Sequence, residues 1–141
     1  MLRRVVGVLL IFGGGYGLLA VVAALGSQLS NAQVFSNILF FLLYIWSVLT
    51  GLLVIENQSK GWYWAKIILL MQIPVLKTSI VSFKFMVALS WSADFAATQV
   101  RFRYVSGADY MLDFLVRHSL SLGINFVALV LFLLIWRREG G

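Results

Sequence analysis

Long uncharged apolar runs constrain this chain more than any other feature of its sequence. The first, Val5–Gly26, contains no charged residue, and the second, Val34–Ile55, is free of charge until Glu56. About 20 consecutive apolar residues cross a hydrocarbon core of about 30 Å as an α-helix. Only 11% of the chain is charged, whereas soluble domains carry about 25%. Both observations predict an integral membrane protein.

Two further apolar runs raise the predicted number of spans to four. Trp62 and Trp136 lie at the ends of these runs, where amphipathic rings favour the level of the lipid headgroups. We therefore expect an all-α membrane protein, a single domain over residues 1–141 in which four transmembrane helices form a four-helix bundle. The predicted spans are about residues 5–26, 34–55, 62–78 and 119–136.

The start of the chain allows a second interpretation. Arg3 and Arg4, the apolar run after them and "ALGS" at residues 24–27 have the three regions of a secretory signal peptide. However, the run is longer than the usual apolar region of about 7–15 residues, and more apolar runs follow. We expect an uncleaved first helix, with cleavage as the alternative.

The basic residues that flank the spans predict the orientation. The connection between the first two spans, Ser27–Gln33, carries no charge. Because cytoplasmic loops are enriched in Lys and Arg, we expect a multi-pass protein of a cell membrane, taken as a bacterial inner membrane, with both termini cytoplasmic. Five basic residues within residues 77–117 argue against this orientation, because it places them outside the cytoplasm. The residues that support the assignment are Arg3, Arg4, Lys60, Lys66, Arg137 and Arg138.

An outer cap is predicted between the third and fourth spans, over about residues 79–117. From Val81 to Trp91 the odd positions are apolar and the even positions are mostly small or polar, which is typical of a half-buried strand. Thr98–Ser106 alternates in the same way. We expect an extracytoplasmic β-hairpin with "SADFAA" (residues 92–97) as its loop, because open strand edges are not tolerated in lipid. The alternative is one long helix kinked near Pro74.

The sequence at the end of the predicted cap predicts a short interfacial helix. Asp109, Asp113 and Arg117 are spaced by four residues and would share one helical face. We expect them to form ion pairs in the cap. An enzyme acting on lipid with Asp109, Asp113 and His118 as acid–base groups is a minor alternative, and we expect no enzymatic activity.

A stripe of small residues marks the first span. Small residues at every third or fourth position let helix backbones approach closely in a membrane. The stripe could serve oligomerisation or, more simply, packing inside the bundle, where amide side chains would hydrogen-bond between helices. The predicted packing residues are Gly13, Gly17, Ala20, Ala24, Gln72 and Asn125.

Composition excludes several classes of site. With no cysteine and one histidine, the chain has no disulfide, thiolate metal site or multi-histidine metal site. The polar side chains that we identify inside the spans are amides and hydroxyls, whereas proton-coupled transporters keep ionisable groups there. The basic residues that give the net charge of +6 lie beside apolar runs. We therefore expect them to set the orientation in the membrane and to contact anionic lipid headgroups. We expect no cofactor, no metal and no nucleic acid partner.

The function predicted on this basis is protein–protein interaction without catalysis. The chain would be an accessory subunit, or an inhibitor or immunity protein, of a membrane partner. An oligomeric channel or transporter component is the alternative. The expected partners are the lipid bilayer and a membrane protein or further copies of this chain. The predicted contacts with a partner or with lipid headgroups are Trp91, Asp94, Phe95, Arg101 and Arg103.

Overall fold

The computed structural model describes residues 1–96, 98–114 and 120–139, which form four helices and a six-stranded antiparallel sheet. The chain therefore has an α/β fold, and the prediction of an all-α four-helix bundle is wrong. In chain order the elements are α1 (Leu2–Leu25), α2 (Asn31–Ile55), α3 (Ser59–Gln72), β1 (Pro74–Lys77), β2 (Val81–Met86), β3 (Leu89–Ala96), β4 (Gln99–Ser106), β5 (Asp109–Phe114), β6 (Ser121–Asn125) and α4 (Phe126–Glu139).

Helices α1 and α2 pack against each other as an antiparallel pair at the positions of the first two predicted spans. Ser30 starts α2 with a capping box: its hydroxyl accepts from the Gln33 N–H at 3.4 Å, and the Gln33 side-chain oxygen accepts from the Ser30 N–H at 2.9 Å. Among the described residues, α1 and α2 are the two helices that are long and apolar enough to cross a membrane.

The predicted third and fourth spans are wrong. Helix α3 has 14 residues and ends at Gln72, so it rises only about 20 Å. Pro74 follows and begins β1, because proline disfavours helical backbone before it and has no N–H for a helical bond. Helix α4 begins only at Phe126. There the Asn125 side-chain oxygen accepts from the N–H groups of Val127 and Ala128 at 3.2 and 3.4 Å.

The strand order of the sheet is β4-β3-β6-β1-β2-β5, and every neighbouring pair is antiparallel. The predicted hairpin is therefore wrong in its pairing: β2 pairs with β1 and β5, while β4 pairs with β3. Residues 92–96 of the expected loop belong to β3, and Ala97 lies outside the described residues. The expected interfacial helix is strand β5 as far as Phe114, and Arg117 and His118 lie outside the described residues.

The sheet docks on the half of the α1–α2 pair that is nearer to its connection. The Tyr44 hydroxyl donates to the Met86 carbonyl at 3.2 Å, and the Tyr110 hydroxyl donates to the Asn37 side-chain oxygen at 2.7 Å. Burial raises the pKa of the Tyr110 phenol above its ordinary value, so this donor stays protonated at neutral pH. Phe40 packs between these contacts and is fully buried.

Candidate functional site

The two faces of the sheet differ sharply in chemistry. Directly opposed residues in antiparallel strands share a face, so the register assigns each side chain to one face. On the apolar face, Phe85 and Tyr110 are opposed and both contact Phe40 of α2. This helix therefore covers the apolar face at β2 and β5. The other face carries serine, aspartate, lysine and arginine side chains, together with Val75, Met86 and Met111.

Strands β3, β4 and β6, named here the wing, leave their apolar face uncovered. Trp91 on β3 contacts Phe102 on β4, with ring centroids 6.4 Å apart, and Phe126 at the start of α4, at 5.6 Å. Seven large side chains on this face are between 40% and 67% exposed, whereas Leu89 at the start of β3 is half-buried. The wing's exposed apolar residues are Trp91, Phe95, Val100, Phe102, Tyr104, Leu122 and Ile124.

The opposite face of the wing is basic. Arg101 and Arg103 both project from β4 on this face and are exposed. Arg101 lies opposite Asp94 and Arg103 lies opposite Ser92 in the register. Arg101 also donates to the Gln99 side chain at 3.1 Å. One carboxylate oxygen of Asp94 is buried without a hydrogen-bond partner in the described part of the chain. The wing thus has an exposed apolar face on one side and two guanidinium groups on the other side.

The structure brings all five predicted contact residues to the wing, but on different faces. Trp91 and Phe95 lie on the apolar face, whereas Asp94, Arg101 and Arg103 lie on the basic face. Sequence reasoning noticed the alternation in β4 but did not select its apolar members as contacts. It missed the contribution of β6 altogether, because the alternation in "SLGIN" was assigned to the fourth span. The exposed apolar residues of the wing that were missed in this way are Val100, Phe102, Tyr104, Leu122 and Ile124.

Among the described residues, Asp109 forms an ion pair with Lys84 of β2. The predicted pairing with Arg117 stays a prediction. The Lys84 side chain is 8% exposed and the Asp109 side chain is 41% exposed. Asp113 lies on the same face of β5, opposite Ser82, and Arg117 lies outside the described residues. The pair therefore supports a buried lysine between the two strands.

Replacing Asp109 with asparagine is expected to lower the free energy of unfolding by about 1–3 kcal/mol. The substitution leaves the Lys84 ammonium group buried without its counter-charge, and removing one partner of such a pair is costly. The matched control is Asp113→Asn, on the same face of the same strand, with an expected change below about 0.5 kcal/mol. Denaturant titration in detergent measures both. Equal effects of the two substitutions would show that the ion pair does not stabilise the sheet.

Most of the predicted packing residues make their contacts within this chain. Gly13 and Gly17 are buried, the first against Ala88 and the second against the Tyr44 ring, while Ala20 and Ala24 are half-buried. In the described part of the chain Gln72 bonds to the β2–β3 connection and not to another helix: its side-chain oxygen accepts from the Val87 N–H at 3.2 Å. Asn125 caps α4, as described above. These amides therefore stabilise the junctions between helices and sheet.

Two buried polar side chains of α2 have hydrogen-bond partners within this chain. Asn37 bonds to Tyr110 of the sheet, and the Ser47 hydroxyl donates to the Leu10 carbonyl at 3.1 Å. A channel lumen needs such groups to line one path. Within the described residues, no cluster of histidine, aspartate or glutamate could hold a metal ion. The wing is therefore the surface with the clearest chemical character.

Comparison of the chain with models of known protein families, with curated proteins and with solved structures yields no significant match. Its function is inferred from the geometry of the wing.

Proposed function

We propose that this chain is a non-catalytic membrane protein that binds another membrane protein through the wing, as an accessory subunit or as an inhibitor. The observation that carries the proposal is the uncovered apolar face of β3, β4 and β6, with exposures of 67% at Phe102, 67% at Tyr104 and 51% at Trp91. Contiguous apolar patches larger than a few hundred Å² are rare on soluble monomers and mark interaction sites. Aromatic residues, which this face carries on β3 and β4, are enriched where proteins bind each other, and so is arginine, which β4 carries on its opposite face.

The exposed surface of α1 and α2 supports a membrane location. Phe12 and Leu19 on α1 are 74% and 70% exposed, and Phe35 and Leu42 on α2 are 63% and 58% exposed. A helix in the core of a soluble protein would bury such side chains, whereas lipid solvates them. We assign the chain to a cell membrane, for which the inner membrane of a bacterium is our working choice.

The orientation proposed for the chain follows from its basic residues. Arg3 and Arg4 lie beside Asn57 at one end of the α1–α2 pair, and the sheet docks near the other end. The Lys66 ammonium group of α3 lies 6.0 Å from the centre of the Trp136 ring of α4, so α4 returns alongside α3. The positive-inside rule favours this basic end in the cytoplasm, with both termini on that side and the sheet towards the opposite side.

The proposal is tested by extracting the tagged full-length chain from its native membrane in a mild detergent. We expect one foreign membrane protein to co-purify at a fixed stoichiometry, and Phe102→Ser with Tyr104→Ser to lose it. Phe12→Ala, which removes a similarly exposed aromatic side chain from α1, is expected to retain it. A monomer or a pure homo-oligomer in the wild-type preparation would contradict the proposal, as would equal retention by the wing variant.

A further inference from the structure

The outer edge of the wing is an open β-strand. In the described part of the chain, β4 pairs only with β3. Alternate residues of such an edge strand direct their N–H and C=O groups away from the sheet. All eight residues of β4 except Val105 are exposed. A row of unsatisfied backbone groups of this length is a template for pairing with another strand.

Within the described residues, only charged side chains protect this edge against pairing. Proteins usually blunt open edges with short strands, prolines, bulges or charged side chains. Strand β4 is eight residues long and contains neither proline nor glycine. Its only charged residues are Arg101 and Arg103, both on the basic face. A strand that places acidic residues opposite these two arginines could therefore pair with the edge.

A second copy of this chain is a poor partner for the edge. Antiparallel pairing requires opposed residues to share a face, so the longest overlaps of β4 with itself centre on Phe102 or on Arg103. The first places Arg101 of each copy opposite Arg103 of the other, and the second places Arg103 opposite itself. Directly opposed like charges destabilise a strand pair. The arginines thus act against self-association.

Lipid is also a poor partner for the edge. Hydrocarbon solvates the apolar face of the wing, but it offers no hydrogen-bond partner to the outward backbone groups of β4. A phospholipid headgroup can bind the arginines, yet it does not continue the ladder. A protein strand satisfies the backbone, the apolar face and the charges together.

The geometry points to strand addition at β4 by a segment of the partner in which acidic residues alternate with apolar ones. This inference rests on the proposed function of the wing and specifies the chemistry of the partner. Its acidic residues would lie opposite Arg101 and Arg103 on the basic face. Its apolar residues would extend the face that carries Phe102 and Tyr104. Main-chain hydrogen bonds would supply affinity, and the alternating side chains would supply specificity.

The probe is a synthetic peptide of about ten residues, the length of a long natural strand, that alternates glutamate with valine. A matched peptide has lysine in place of glutamate, and a third has N-methylated backbone amides. Binding to the full-length chain in lipid nanodiscs is measured by fluorescence anisotropy at low salt. We expect the glutamate peptide to bind at least about tenfold more tightly than the lysine peptide, because two cross-strand pairs change from attraction to repulsion. The N-methylated peptide should lose binding.

Charge reversal at the edge provides the decisive comparison. The double substitution Arg101→Glu with Arg103→Glu is expected to invert the preference towards the lysine peptide. Lys60→Glu reverses the charge of an exposed residue at the start of α3, away from the edge, and should leave the preference unchanged. Equal binding of the two peptides, or a preference that the double substitution does not invert, overturns strand addition. Strand addition is also overturned if the protein binds anionic lipid vesicles but neither peptide.

The same double variant separates this inference from the proposed function. Suppose that a partner co-purifies with the wild-type chain and is lost on Phe102→Ser with Tyr104→Ser, but is retained by the charge-reversed variant. Strand addition by an acidic segment is then wrong, while partner binding through the wing holds. If the charge-reversed variant also loses the partner, and a segment of that partner alternates acidic and apolar residues, both hold.

Discussion

Replacing Gly13 with leucine is expected to lower the free energy of unfolding by about 3 kcal/mol or more. Gly13 is the position at which α1 meets the connection between β2 and β3. A Cβ atom there would lie 2.7 Å from the Ala88 Cβ atom and closer still to the Ala88 backbone nitrogen. Ala88 already has a positive φ of 69°, so this backbone has little freedom to move. Overpacking against a backbone that cannot yield is strongly destabilising.

The matched control for this substitution is Gly15→Leu, two residues along the same helix. A Cβ atom at Gly15 has no atom within 4 Å, so the added side chain meets open space. We expect its thermal midpoint in detergent to change little, whereas that of Gly13→Leu should fall by many degrees. Similar midpoints for the two variants would contradict the close approach of the sheet to α1.

Replacing Phe40 with alanine is expected to cost about 3–5 kcal/mol, the usual loss for a fully buried phenylalanine. The Phe40 ring is 0% exposed. Its centroid lies 4.8 Å from that of Tyr110, 5.9 Å from that of Phe85 and 6.5 Å from that of Phe83. The substitution therefore leaves a cavity where α2, β2 and β5 meet. Hydrogen exchange should increase in β2 and β5 before it increases in α1.

Phe35→Ala is the control on the same helix. Phe35 is 63% exposed, so its loss should change the free energy of unfolding by less than about 0.5 kcal/mol. If Phe35→Ala destabilised the protein as much as Phe40→Ala, the sheet would not dock on this side of α2.

The first two helices could be predicted from the sequence because a long uncharged run permits few other structures. The structure at the end of the third predicted span was harder to predict. Both a kinked helix and a strand are compatible with Pro74, and the decision depends on β6, which lies about 45 residues further along the chain and pairs with β1. Local patterns carry no information about such a partner.

The strand β5 was mistaken for a helix for a specific reason. Asp109 and Asp113 are four residues apart, and a spacing of four places two residues on one face of a helix and also on one face of a strand. Tyr110, Leu112 and Phe114 alternate with them, and this period of two was the better signal. The Lys84–Asp109 pair could not be predicted, because it depends on the pairing of β2 with β5.

The wing was predicted in part. The alternation in β4 placed Arg101 and Arg103 on one face, as the structure does. The alternation from Val81 to Trp91 predicts one strand, but the chain breaks it at Val87 and Ala88 into β2 and β3, which are not neighbours in the sheet. A loop was expected where β3 continues to Ala96. The five predicted contact residues were therefore chosen without knowledge of the face that β3 shares with β6.

The most direct test of the central claim is photo-crosslinking from the wing in native membranes. A photoreactive phenylalanine analogue replaces Tyr104, which is 67% exposed on the apolar face, and in a control replaces Phe12, which is 74% exposed on α1. The proposed function predicts that position 104 crosslinks to a single foreign membrane protein, whereas position 12 crosslinks to lipid. If position 104 crosslinked only to lipid or to another copy of this chain, the wing would not be a surface for a protein partner.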